Sequence, residues 1–112
     1  MKRIQRRRTK GWRMPPDAVY VGRPSRWGNP WMVGSIDLGN GVLVTAEAAV
    51  EMYRMTVAND LLYWPGFLDP LVGHDLACWC HLCDAHRDGL PLGVVCPDCA
   101  PCHADVLLEV AP

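Results

Sequence analysis

The sequence predicts a small α/β or α+β domain: a small mixed sheet with one long central helix and a C-terminal helix, and a zinc-stapled loop inserted before the last helix. Three observations predict it. Short β-branched and aromatic runs alternate with one long stretch of helical periodicity. The chain has 112 residues, enough for one modest core but near the size at which small proteins lean on a metal or disulfides. All six cysteines and three of the four histidines fall between Cys78 and His103. The expectation is a single domain over 1–112, with the loop insertion at about 81–101.

Between residues 2 and 8 the only strongly apolar residue is Ile4, so this basic stretch reads as an edge strand or a free arm; we take the strand. After the break at Met14-Pro15-Pro16, Ala18-Val-Tyr-Val21 has the character of a buried strand. Gly22-Arg-Pro-Ser-Arg-Trp-Gly-Asn-Pro30 is dense in turn residues, and a loop at a strand end is a common place for a ligand site. Trp31-Met-Val33 would begin a further strand, Gly39-Asn-Gly41 its hairpin turn and Val42-Leu-Val44 its return.

Thr45 offers a side-chain cap for a helix over 46–63, with Val50, Tyr53, Val57 and Leu61 along one face. Glu47, Glu51 and Arg54 form its solvated side, where Glu51 and Arg54 can pair at i, i+3. Trp64-Pro-Gly66 ends the helix and 67–72 adds a short helical turn. Asp75-Leu-Ala-Cys-Trp79 then reads as a buried strand with Cys78 and Cys80 at its exit. Pro101 suits the start of a last helix over 102–110, with Val106, Leu107 and Val110 facing inward.

Zinc takes four Cys or His ligands, and two close pairs separated by a loop let a short chain wrap round one ion. Cys83-x2-His86 and Cys96-x2-Cys99 supply such pairs, joined by a Gly- and Pro-containing reversal. Cys78, Cys80, Cys102 and His103 could form a second four-ligand cluster if the strand exit meets the start of the last helix. Two other readings use the same residues. Cys96, Cys99 and Cys102 with Cys80 or Cys83 could hold an iron–sulfur cluster, and Cys96-Pro-Asp-Cys99 has the spacing of a dithiol redox pair. A catalytic reading places Cys102 as a thiolate at a helix start, with His103 or Asp105 beside it.

The formal net charge of −1 conceals an asymmetry: 1–30 holds nine Lys or Arg against one Asp, and 31–112 holds two against eleven acids. Such a basic segment suits an anion, most simply phosphate. Arg6, Arg7, Arg8 and Lys10, interleaved with Trp12 and followed by Tyr20 and Trp27, suggest nucleic-acid binding, because cations neutralise phosphates and aromatic faces stack on bases. Arg23, Arg26, Trp27 and Asn29 of the turn-rich loop are the candidates for a nucleotide or modified base. No dinucleotide fingerprint, signal peptide or apolar run of about 18 residues is present, which points away from the membrane and toward the cytoplasm. Thiols stay reduced there, which favours metal ligation over a disulfide framework.

Two blocks, Tyr20-Val-Gly-Arg-Pro-Ser-Arg-Trp-Gly-Asn-Pro30 and Leu76-Ala-Cys-Trp-Cys80 with Pro101-Cys-His-Ala-Asp-Val-Leu107, resemble a family of uncharacterised proteins, a domain of unknown function common in actinobacteria and their phages. The resemblance covers nearly the whole chain and implies no activity. It implies that Cys78, Cys80, Cys102 and His103 are the older site, with Cys83, His86, Cys96 and Cys99 belonging to a loop that many relatives shorten.

Overall fold

The computed structural model describes residues 1–31, 33–34 and 41–111. Its strands are β1 (Lys2–Gln5), β2 (Val19–Tyr20), β3 (Leu76–Cys78) and β4 (Leu90–Pro91), and its helices are α1 (Ala46–Tyr63) and α2 (His103–Val110). The strands form one mixed sheet in the order β2-β3-β1-β4. β3 runs parallel to both neighbours, with Ile4 and Tyr20 each opposite Ala77, and β4 is antiparallel to β1, with Arg3 opposite Leu90.

The basic N-terminal stretch is therefore an interior strand and not the edge strand its composition predicts. Arg3 makes this possible. Its side chain is fully buried, with Nη1 2.6 Å from the Asp105 carboxylate and Nη2 donating to the His81 carbonyl at 3.1 Å. A cation with its own counter-ion and acceptor can occupy an interior position that an unpaired one could not.

α1 spans the predicted residues. The Thr45 hydroxyl accepts a hydrogen bond from the Ala48 N–H at 3.1 Å, filling one of the donors that a helix start leaves open. Ala49, Tyr53 and Val57 are its buried residues, with Val50 and Leu61 half-buried at the margins. Arg54 reaches across to Glu109 of α2 at 2.6 Å, closer than its 3.7 Å approach to Glu51, and so ties the two helices together. A 3₁₀ turn at Asp69–Leu71 follows, with Phe67, Leu68 and Leu71 in the core.

α2 buries more of its circumference than a single inward stripe. Ala104, Val106, Leu107 and Leu108 are all buried, whereas Val110, expected to face inward, is 38% exposed near the C-terminus of the helix. Within 42–44, Leu43 is a bridge residue, and the Gly34 N–H donates to the Val44 carbonyl at 2.8 Å. Met32, Gly39 and Asn40, which belong to the expected strand and hairpin turn, lie outside the described residues. Among the described residues no helix is long and apolar enough to cross a membrane.

Candidate metal centre and ligand cleft

The two Cys/His pairs of the loop between β3 and α2 each sit in one tight turn. The His86 N–H donates to the Cys83 carbonyl at 2.9 Å in a 3₁₀ turn, and the Cys99 N–H donates to the Cys96 carbonyl at 3.3 Å. A two-residue spacer thus puts both ligand atoms of a pair on the same side of its turn. The loop closes at its base where the Ala100 N–H meets the His81 carbonyl at 2.9 Å, and it is fixed to β1 by the Leu82 N–H donating to Gln5 Oε1 at 2.8 Å. Leu82 and Leu90 pack with Cys99 beneath it as a small apolar cluster.

The result is a convergent donor set. The ligand atoms of Cys83, His86, Cys96 and Cys99 all lie within 4.8 Å of one another. Cys83 Sγ stands 3.8 Å from Cys96 Sγ and 3.6 Å from Cys99 Sγ, and His86 Nδ1 is 3.2 and 3.5 Å from the Cys83 and Cys99 sulfurs. Around a tetrahedral ion with metal–sulfur bonds of about 2.3 Å, sulfurs stand about 3.8 Å apart. The Cys83 N–H also points at Cys99 Sγ, at 3.4 Å, a contact that favours a thiolate. This set could hold a metal ion and staple the loop.

The remaining three cysteines meet elsewhere. Cys78 ends β3, Cys80 lies two residues on, and Cys102 immediately precedes α2; their sulfurs also lie within 4.8 Å of one another, with Cys78 and Cys102 at 3.0 Å. Hydrogen bonds from Cys102 and Cys78 hold the Cys80 thiol well below its ordinary range, helped by the charge of Arg3. Cys102 is pushed well above that range by its hydrogen bonds to Cys78 and Cys80 and by burial. All six cysteines are free thiols. Because Cys102 belongs to this group and Cys96 and Cys99 to the other, the iron–sulfur set that combines them does not come together.

His103 does not complete the second group. Its Nδ1 is 3.7 Å from Cys102 Sγ, but it stays outside the three-sulfur convergence. Nε2 lies 2.8 Å from the Val21 carbonyl oxygen, which can only accept, so Nε2 carries the proton and Nδ1 presents a lone pair. Burial outweighs that hydrogen bond and lowers the His103 pKa, leaving the imidazole neutral. Asp105, the candidate base, turns away to Arg3.

The three sulfurs and His103 lie in the wall of a cleft of about 350 Å³ that is also lined by Tyr20, Arg23, Asn29, Trp31 and Trp79. Tyr20 is among the aromatic residues the sequence interleaves with the basic segment, whereas Trp79 reads there only as the end of a buried strand, and nothing in its spacing marks it as a cleft wall. Arg6 lies between their rings, its guanidinium carbon 4.6 Å from the Tyr20 centroid and 4.9 Å from that of Trp79. Arg8 stacks on Trp79 at 5.0 Å.

The turn-rich loop contributes less than its composition suggests. It folds back at Gly22, where any Cβ would fall within 2.8 Å of the Tyr20 ring, and the Tyr20 hydroxyl donates to the Arg23 carbonyl at 2.6 Å. This leaves Arg23 exposed at the cleft. Trp27 is a core residue whose Nε1–H donates to the Phe67 carbonyl at 2.9 Å, while its own carbonyl accepts from the Tyr53 hydroxyl at 2.6 Å. It has no free face for a ligand. Asn29 has its amide committed, Nδ2 to the Ala49 carbonyl at 3.0 Å and Oδ1 to the Trp31 N–H at 2.9 Å. Arg26 stacks on Trp27 and Trp64 at 4.5 and 5.1 Å and does not line the cleft. Arg6, Arg7, Arg8, Lys10 and Trp12 do not line it either, although Arg6 and Arg8 reach it through the rings they stack on.

A family model described as a domain of unknown function, DUF4326, matches residues 4–112, nearly the whole chain. No curated protein and no solved structure matches.

Proposed function

We propose that this chain, which belongs to the DUF4326 family of unknown function, is a zinc-stapled module that binds a nucleotide, most readily as part of single-stranded nucleic acid. One observation carries the reading. Arg23 lines a cleft whose wall includes the rings of Tyr20 and Trp79, and Arg6 and Arg8, not themselves lining residues, stack on those rings, Arg6 on both and Arg8 on Trp79. A guanidinium stacked on a ring keeps its in-plane N–H groups for phosphate, and an exposed base can stack on an aromatic face. The contact surface is thus the beginning of the basic segment plus Arg23, not the whole segment, since Arg3 is already neutralised by Asp105.

Zinc is the metal that suits the loop set of Cys83, His86, Cys96 and Cys99, because three thiolates and one imidazole at tetrahedral separations match its preference. The ion would fix the loop that carries β4. A reducing compartment such as the cytoplasm keeps those thiols available.

The test is binding of a short single-stranded oligonucleotide across a range of salt concentrations. Affinity should fall steeply with salt, and Arg6→Ala with Arg8→Ala should lower the slope of log affinity against log salt by about 1.4, from about 0.7 per phosphate contact. No binding at low salt, or an unchanged slope, removes the reading.

A second reading, an enzyme acting on the bound nucleotide or modified base, is favoured by Cys102 and His103 lining the same cleft as Arg23. Alkylation of Cys102 with and without nucleotide tests it. Equal labelling in both cases leaves the binding module alone.

A further inference from the structure

Cys78, Cys80 and Cys102 come from three different places in the chain: the end of β3, the turn beyond it and the residue before α2. Their sulfurs nevertheless converge within 4.8 Å, and all three residues line the cleft. Packing alone gives no reason for this, since three thiols make poor hydrogen-bond partners for one another and an apolar trio would fill the same space. Fully buried Arg3 interacts electrostatically with each of the three, and its Nε has no acceptor among the described residues. Three thiolates with Asp105 would set four negative charges against this one guanidinium. A divalent ion would offset two more of them.

We propose that Cys78, Cys80 and Cys102 form a second zinc site, in the wall of the cleft, with three thiolate ligands and a fourth position open to whatever the cleft holds. Binding the ion displaces a proton from each thiol that is still protonated, and no redox change is involved. His103 stays beside the site, anchored to the Val21 carbonyl, and the open position faces the same space as Arg23 and Trp79. The loop ion is closed by four protein ligands and is structural; the cleft ion has the three-ligand pattern of a site that takes an exogenous donor.

The metal count does not depend on nucleotide binding, so this proposal and the preceding one can fail separately. Protein purified under reducing conditions should carry two zinc equivalents; Cys83→Ser with Cys96→Ser should leave one, and Cys102→Ser should also leave one. Where a variant does not fold, the wild-type protein reconstituted with cobalt(II) gives the answer. Its sulfur-to-cobalt charge-transfer absorption should correspond to six thiolates per chain, and imidazole should shift the visible bands of half the cobalt. One metal equivalent with three bonded thiolates, or a Cys78–Cys102 disulfide in the reduced preparation, overturns the site. Visible bands that imidazole leaves unchanged overturn the open position.

Discussion

Arg3 and Asp105, 102 residues apart in the chain, are joined by a 2.6 Å ion pair that fastens β1 to the first turn of α2. This one contact sets the position of the basic segment. It draws Arg3 into the fold, centres β1 in the sheet and leaves Arg6 and Arg8 to emerge beside Tyr20 and Trp79.

Removing one partner should cost more than removing both. Asp105→Ala leaves a guanidinium uncompensated in the interior, and because the carboxylate is 37% exposed the loss is expected at about 2 kcal/mol, below the full buried-pair penalty. Arg3→Met with Asp105→Ala should recover part of it. Urea unfolding of the single and double variants checks this, and an additive double variant would mean that the pair is not coupled.

Trp27→Phe should lose about 1 kcal/mol through the unpaired Phe67 carbonyl, with no change in ligand affinity, because the indole faces the core and not the cleft. A large drop in oligonucleotide binding at unchanged stability would restore Trp27 to the binding surface.

The long helix was legible because its signals are local: the Thr45 cap, the periodic face and the Trp64-Pro65-Gly66 stop are all close in sequence. The loop donor set was legible for the same reason, since each x2 spacing closes within one turn. The centre of the sheet was not. Placing β1 there requires burying Arg3, which depends on a carboxylate 102 residues away that composition cannot assign. Trp27 and Asn29 misled because the residues that build a tight loop are the same types that bind nucleotides; only their partners, Phe67 and Ala49, separate the two roles.

Chelation of an ion held by Cys83, His86, Cys96 and Cys99 should act locally first. Amides at 81–100 should exchange faster, and the melting temperature should fall by more than about 5 °C, corresponding to about 1 kcal/mol, because the ion's binding energy is also folding energy. Cys99→Ser should show the same pattern without chelator. Unchanged exchange after verified metal removal would mean that the Leu82 and Leu90 packing holds the loop alone.

Photo-crosslinking of a single-stranded oligonucleotide carrying 5-bromouracil, mapped by peptide mass spectrometry, tests the binding surface most directly. Crosslinks are expected at Tyr20 or Trp79 and should be lost in Arg23→Ala at moderate salt. Crosslinks confined to 7–13, or none at all at low salt, would contradict it.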